Sequence, residues 1–418
     1  MPQGQLKQLK ILFGAYSCGP NRGSEPGVGW NFVIGVAKYH KVHVLLNQLE
    51  FEQSVTEYCK ENPEAVKNIT FHFIPEKFYP TLRKIYPPSY YHFYRRWQKQ
   101  AYQYAIELDR KENFDLIHQV TLAGYREPGY LWKLGKPYVI GPLGGFTQTN
   151  LRLLPGLGFY GMIFYGIRNI INAFQVRYGF AARTLPAKAD AIIVSDDRGT
   201  EDVKRLWKRD SHLIQEVGTH STPGEAVLPR RQEGEPLRIC WAGLLIPRKA
   251  LNFLLRALPK CKHPMEVNVL GGGEMDRKWK KLAKQQRIEH QVHFRGYVSH
   301  QDVLATMSNS HVLCVTSIHE GGTGTIVLEA LQNGLPIVCL NHCGFASVVN
   351  ERIGIKIPIK NTEQIIEDFA QALDYLYENE DVRYRMAKCA AEEESLKYTW
   401  ENKIKQVCDI YKQVLENR

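Results

Sequence analysis

The sequence predicts an α/β protein built as two domains, each around a parallel sheet, and three observations carry that prediction. At 418 residues the chain exceeds what one ordinary hydrophobic core accommodates, so two domains of roughly 200 residues each are expected. Short apolar runs alternate with helical stretches, the pattern of parallel strands joined by crossover helices. That pattern stops at a turn- and charge-rich break, EVGTHSTPGEAVLPRRQEGEPL at residues 216–237, and then restarts. The expected division is 1–215 and 216–400, with a last helix at about 401–418 packing back on the first domain. Two α/β halves joined by a linker leave a cleft between them, and ligands in such sheets sit beyond the carboxyl ends of the strands.

The first domain opens with LKILFGAY (9–16), a buried strand, followed by the loop SCGPNRGSEPGVGW and a helix to about Tyr39. KVHVLLN, NITFHFIP, FDLIHQV, KPYVIGP and ADAIIVSD supply the further strands, each bounded by turn formers or helical sequence. After the break, LRICWAG, MEVNVLGGG, QVHFRGY, HVLCVTS and PIVCL read as strands, with a helix over NFLLRAL and a Lys-rich helix between them. The last helix carries Ile404, Val407, Cys408, Tyr411 and Leu415 at helical spacing.

Apolar content of 44% and charged content of 23% describe a soluble globular chain. The net charge of +11 is uneven: residues 1–215 hold 28 Lys and Arg against 18 Asp and Glu, and the remainder is nearly balanced. A basic first half suits an anionic partner such as phospholipid, a phosphorylated substrate or nucleic acid. Two basic aromatic stretches, Phe78 to Gln100 and the acid-free interval between Glu127 and Asp190, suit an anionic membrane surface. Nucleic acid is disfavoured because no recognition motif for it occurs. Nine scattered cysteines without a C-x-x-C pair point to a reducing compartment. The cluster CLNHC (Cys339, His342, Cys343) lacks the second pair a tetrahedral metal site needs, so no metal is expected. The apolar start ILFGAY is short for a signal, and the uncharged run Leu153 to Ile167, broken by Pro155 and four glycines, is short for a spanning helix. The expected location is cytoplasmic, with peripheral association on the inner face of a membrane.

The most informative stretch is HEGGTGTIVLEALQNGLP, residues 319–336. A strand (HVLCVTS), a glycine loop and a helix (TIVLEALQ) closed by Asn333, Gly334 and Pro336 lead into the next strand. Such a unit aims backbone N–H groups at the strand ends, where Gly321, Gly322 and Gly324 let an anion approach. Thr323 and Thr325 can cap the helix or donate hydroxyls. Glu329 lies farther in, between Leu328 and Ala330, where a carboxylate needs donors such as ligand hydroxyls or a neighbouring basic group.

These residues resemble the E-x(7)-E signature of glycosyltransferase family 4, a GT-B fold of two Rossmann-like domains. The resemblance implies that Glu329 binds the nucleotide ribose and Glu320 the donor sugar. Here eight residues separate the two acids, so Gly321 takes the signature's first position. LRICWAGLLIPRKALNFLLRAL is similar to the family's G-R-L-x-x-x-K-G segment. Arg248 and Lys249 are thereby implied to grip the donor diphosphate, while Leu244 stands where the family has Arg. GSEPGVGW, with Gly27 and Gly29, lacks the third glycine of a dinucleotide fingerprint. It resembles the N-terminal loop of a subgroup of the family that lines the cleft near donor phosphate and acceptor. FDLIHQVTLAGYREP and PYVIGPLGGF, with Gly144 and Gly145, extend that likeness, and His118 falls at a position the family uses in catalysis. No D-x-D occurs, which sets aside the metal-dependent glycosyltransferase type.

The resemblance implies a hexosyl transferase that moves a sugar from a UDP-, GDP- or ADP-sugar to a hydroxyl of a lipid-linked glycan or polysaccharide precursor. Retention of configuration and no cofactor beyond the nucleotide sugar are expected. A sugar-nucleotide epimerase of the same fold and a non-catalytic carbohydrate- or lipid-binding protein are the alternatives.

Overall fold

The structure is a computed structural model that describes residues 8–76, 89–146, 148–220 and 228–418. The first part of the basic aromatic stretch at Phe78 and the middle of the turn-rich break at 221–227 lie outside the described residues. The chain divides into two compact units.

The first unit comprises Met1–Phe146, Phe174–Val217 and Trp400–Arg418. Its strands are β1 (Lys10–Gly14), β2 (Lys41–Asn47), β3 (Ile69–Ile74), β4 (Leu116–Gln119), β5 (Tyr138–Leu143), β6 (Ala191–Val194) and β7 (His212–Leu213). They form one sheet in the order β3-β2-β1-β4-β5-β6-β7, parallel throughout. Phe13 pairs with Val44 on one side and His118 on the other. The central strands are apolar because crossover helices cover both faces of a parallel sheet. Those helices include α1 (Ser24–Ala37), α2 (Gln48–Glu61), α3 (Ser89–Glu112), the end of α4 (Gly158–Tyr178) and α5 (Phe180–Lys188). α2 starts on Asn47, whose side chain accepts from Glu50 N, a conventional N-cap.

The second unit comprises Thr147–Ala173 and Gly218–Thr399. Its strands are β8 (Leu237–Ala242), β9 (Met265–Leu270), β10 (Val292–Gly296), β11 (Val312–Val315), β12 (Ile337–Leu340) and β13 (Gly354–Ile357). They form a second parallel sheet, ordered β10-β9-β8-β11-β12-β13. The helices include α6 (Asn252–Ala257), α7 (Asp276–Gln285), α8 (His300–Ser308), α9 (Thr325–Gln332), α10 (Thr362–Glu378) and α11 (Glu380–Cys389). α8 opens with a capping box in which Ser299 and Asp302 satisfy each other's backbone N–H groups.

Residues 148–173 fall inside the sequence interval expected for the first domain, yet they pack with the second unit. A Cβ on Gly156 would lie 2.8 Å from Phe253 Cζ, so glycine lets this arm press against α6. Arg152 Nη1 donates to Ile359 O at 3.2 Å. The last helix, α12 (Trp400–Glu416), belongs to the first unit and lies against α1. A Cβ on Gly35 would stand 2.4 Å from Ile404 Cγ1, so the close approach of the two helices depends on that glycine.

Candidate functional site

In the second sheet β8 is flanked by β9 and β11, so the strand order reverses there, and ligand crevices of α/β sheets form at such switch points. Two loops leave the carboxyl ends of β8 and β11 at that point, 243–251 and 316–324. Backbone bonds hold them together. Ile318 N donates to Arg248 O at 2.8 Å, and Thr316 Oγ1 donates to Lys249 O at 2.6 Å while accepting from Trp241 Nε1 at 3.0 Å. Gly271, at φ +120°, permits the tight crossing over β8, since a Cβ there would lie 2.0 Å from Gly243 O.

This scaffold places Arg248, Lys249 and Glu320 in one cluster. Arg248 Nη1 donates to Glu320 Oε2 at 2.7 Å and to His319 O at 3.0 Å, and Lys249 Nζ reaches Glu320 Oε1 at 2.5 Å. Side-chain exposures of 29%, 19% and 17% put the three at the floor of the loops rather than on open surface. Burial pushes the Glu320 carboxyl up, but Lys249 and Arg248 outweigh it and hold the group below its ordinary range. Glu320 N donates to Cys343 Sγ at 3.3 Å, which anchors the acid against the loop after β12. Leu244, 48% exposed, brings no charge to this cluster.

α9 starts at Thr325 with Gly324 as its N-cap at φ +77°. Thr325 is exposed and Thr323 is buried, with its hydroxyl turned to Gly344 O at 3.4 Å. Of the two expected roles, capping falls to neither, because Gly324 takes the cap position itself. A Cβ on Gly321 or Gly324 would meet nothing within 4 Å, so these two glycines leave the mouth of the helix open. Gly322 is buried, and a Cβ on Gly344 would lie 2.4 Å from its carbonyl carbon; this pair closes one wall by backbone contact. Glu329 is less enclosed than its neighbours suggested. Its side chain is 20% exposed, and Oε1 lies 2.9 Å from His300 Nε2 at the start of α8.

In the first unit His118, the residue expected in catalysis, lies on β4. It is fully buried; Nε2 lies 2.9 Å from Gly141 O and Nδ1 lies 2.7 Å from the Tyr411 hydroxyl on α12. A carbonyl only accepts, so Nε2 carries the proton and Nδ1 accepts from tyrosine. Burial pushes the imidazole pKa down to about 4, against the bond to Gly141. Both nitrogens are engaged inside the unit. Gly27 and Gly29 already lie within α1, where Cβ atoms would approach Arg22 O and Ser17 O to 2.2 and 2.3 Å. They bring the first turns of α1 against the loop after β1. Gly144 forms a bridge with Gly124, and Gly145, at φ +93°, lies where a Cβ would stand 3.3 Å from Arg126 Nη1.

Sequence reasoning missed His300, His319, Thr149 and Glu25. His319 Nδ1 pairs with Thr149 Oγ1 at 3.1 Å and its ring lies 5.5 Å from that of Tyr165. Burial, with Arg168 and Arg248 nearby, holds its pKa down to about 4. The arm 148–173 thus closes over the 316–324 loop, a long-range placement without any local signal. Glu25 Oε1 accepts from Leu122 N at 2.5 Å, and burial raises its carboxyl above the ordinary range. CLNHC gathers no metal-ligand cluster among the described residues.

Residues 229–393, most of the second unit, match the family described as Glycosyl transferases group 1. An uncharacterized glycosyltransferase of Methanocaldococcus jannaschii is 26% identical over 218 residues, 51% of each chain. A phosphatidyl-myo-inositol mannosyltransferase of Mycobacterium leprae is 27% identical over 174 residues, 40% of this chain and 44% of the relative. The chain spans about half the length of the curated relatives it matches. A crystal structure of Anabaena HepE in complex with UDP superposes with a TM-score of 0.61 at 16% identity, over 97% of this chain and 100% of the other. Two parallel Rossmann-like sheets and this likeness along the chain define the GT-B fold.

Proposed function

We propose that the protein is a glycosyltransferase of the family 4 type, carrying a hexosyl group from a UDP-, GDP- or ADP-sugar to an acceptor hydroxyl. The observation that carries this reading is the Arg248–Glu320–Lys249 cluster beside the open mouth of α9, at the switch point of a sheet within the matched segment. The mouth of α9, with Gly321 and Gly324, takes the diphosphate on backbone N–H groups. Arg248 and Lys249 add positive charge where the leaving diphosphate gains negative charge, which lowers the barrier without a metal. Glu329 receives the ribose hydroxyls, and the His300 contact fixes its orientation. Glu320, held by two cations, faces the sugar. Attack on the same face as the departing diphosphate retains the anomeric configuration. His118 has no part in the chemistry. The acceptor class is a lipid-linked glycan or polysaccharide precursor, met at an anionic membrane surface, as the basic first unit and a relative named for phosphatidyl-myo-inositol suggest.

The test is nucleotide release from a panel of UDP-, GDP- and ADP-sugars, with and without membrane extract. The expected result is release from one donor that rises with extract. Conversion of the donor to an epimer without acceptor, or no nucleotide binding by calorimetry, overturns the reading.

A further inference from the structure

Most of the large apolar residues of α4 face outward. Its buried residues are Asn169, Asn172 and, near its end, Val176, and Asn169 exchanges two bonds with the Thr149 backbone at 3.1 and 2.6 Å. Farther along, Gln175 Oε1 accepts from Arg126 Nε at 2.6 Å. The outward residues are large and apolar. Tyr160, Ile163, Ile167, Ile170, Phe174 and Tyr178 recur at intervals of three and four, one stripe along the helix, with exposures from 44% to 87%. Phe159 and Phe164, 67% and 62% exposed, widen the stripe beyond the two-position seam of a paired helix, and Phe180 continues it at 86%. A soluble surface rarely tolerates an apolar band of this extent without something to cover it.

The charge around the stripe identifies the cover. No Asp or Glu occurs from residue 128 to 189, whereas Arg152, Arg177, Arg183 and Lys188 do, all four exposed. A second copy packed on this face would set that basic group against itself. An anionic bilayer complements both the apolar stripe and the basic flanks. No described helix is long and apolar enough to cross a membrane, so the helix lies in the plane of the interface, where its phenylalanine and tyrosine rings are at home. We propose that α4 is an in-plane anchor that seats the protein on anionic lipid. This names the element through which a membrane-borne acceptor would be reached, and it rests on that part of the proposed function. Vesicle binding needs no turnover, so the two fail separately.

The test uses the full chain and flotation with vesicles of phosphatidylcholine alone or mixed with phosphatidylglycerol. Binding to the anionic vesicles should exceed binding to the neutral ones at least ~tenfold and weaken with salt. Ile167→Glu with Ile170→Glu should lower it at least ~tenfold while leaving the melting temperature in place, because both side chains are exposed. Arg177→Glu with Arg183→Glu, which leaves the stripe intact, should remove the preference for anionic vesicles. Failure of the wild type to float, or unchanged flotation of the first variant, overturns the proposal. So does light scattering that shows a wild-type dimer broken by Ile167→Glu with Ile170→Glu, since the cover would then be a second copy.

Discussion

Glu320→Gln keeps the side-chain shape and removes the charge that Arg248 and Lys249 share. The cluster goes from one net positive charge to two. Each negative charge of a nucleoside diphosphate at the mouth of α9 then gains about 2 kcal/mol of attraction, taking a separation of roughly 8 Å and an effective dielectric of about 20. Partial exposure of all three side chains lets water and salt screen about half of this, leaving ~1 kcal/mol per charge and at least about fivefold tighter binding of the free diphosphate. Transfer should move the other way. If Glu320 orders the donor sugar, kcat falls at least ~tenfold even as the diphosphate binds better. Loss of a charge-assisted pair also removes ~1–2 kcal/mol of stability, a drop of about 2–4 °C in Tm for each kcal/mol in a unit of this size. Because the folded carboxyl is held below its ordinary range, its stabilisation is present at neutral pH and is lost as pH falls through the folded value. The variant should lose that acid-limb dependence. Calorimetry with UDP and GDP, steady-state transfer with the sugar nucleotide, and thermal melts from pH 3 to 7 read the three effects. Unchanged diphosphate affinity together with unchanged turnover would refute the placement of both diphosphate and sugar beside this cluster.

Lys249→Ala and Glu329→Ala should each weaken nucleotide binding about tenfold by calorimetry, the first through the diphosphate and the second through the ribose; unchanged affinity in both removes the donor assignment. His118→Phe strands the Gly141 carbonyl and the Tyr411 hydroxyl and should cost about 2–4 kcal/mol in chemical denaturation. Turnover per folded molecule should stay within about threefold, whereas a loss of ~100-fold in a folded variant returns His118 to the chemistry. The folded pKa of about 4 lies below the ordinary 6.5, so His118 contributes stability above pH 6.5 that is lost as pH falls toward 4, and His118→Phe should flatten the melts across that window. Gly29→Ala should lower Tm although alanine favours helices, because its Cβ would lie 2.3 Å from Ser17 O.

Most of the strands that sequence reading recovers are buried on both faces, where an unbroken apolar run marks the element by itself, and the half-buried edge strands β3 and β10 are recovered through alternating Ile, Phe and Val. It passes over β7 and β13. β7 has only two residues, and β13 (GIKI) alternates at the sheet edge beside charged neighbours. Both owe their pairing to the sheet already formed. The 148–173 arm is a different kind of omission. Its leucines, glycines and aromatics mark a helix, but which unit it packs on is decided by Phe253 beneath Gly156 and Ile359 beyond Arg152, distant positions in the chain. The same holds at His118. Its place on β4 is local, while the tyrosine that occupies Nδ1 comes from a helix 293 residues later.

The site divides along the same line. The glycines of the loop, Gly334 and Pro336 are legible because they act on their own backbone: they start α9, stop it and leave its mouth open. The two acids are not, because their charge is settled by partners from elsewhere. Glu329 finds His300 on the preceding helix, and Glu320 finds both cations of the β8 loop. That pairing also bears on the spacing anomaly. With eight residues between the acids, Glu320 stands one position ahead of the signature, yet Cys343 holds its amide and Arg248 and Lys249 hold its carboxylate. The extra residue is taken up where Gly321 lies in open space, at no cost to the cluster. Arg248 and Lys249 therefore supply the positive charge that Leu244 does not, and the acid that fixes them is the one out of register.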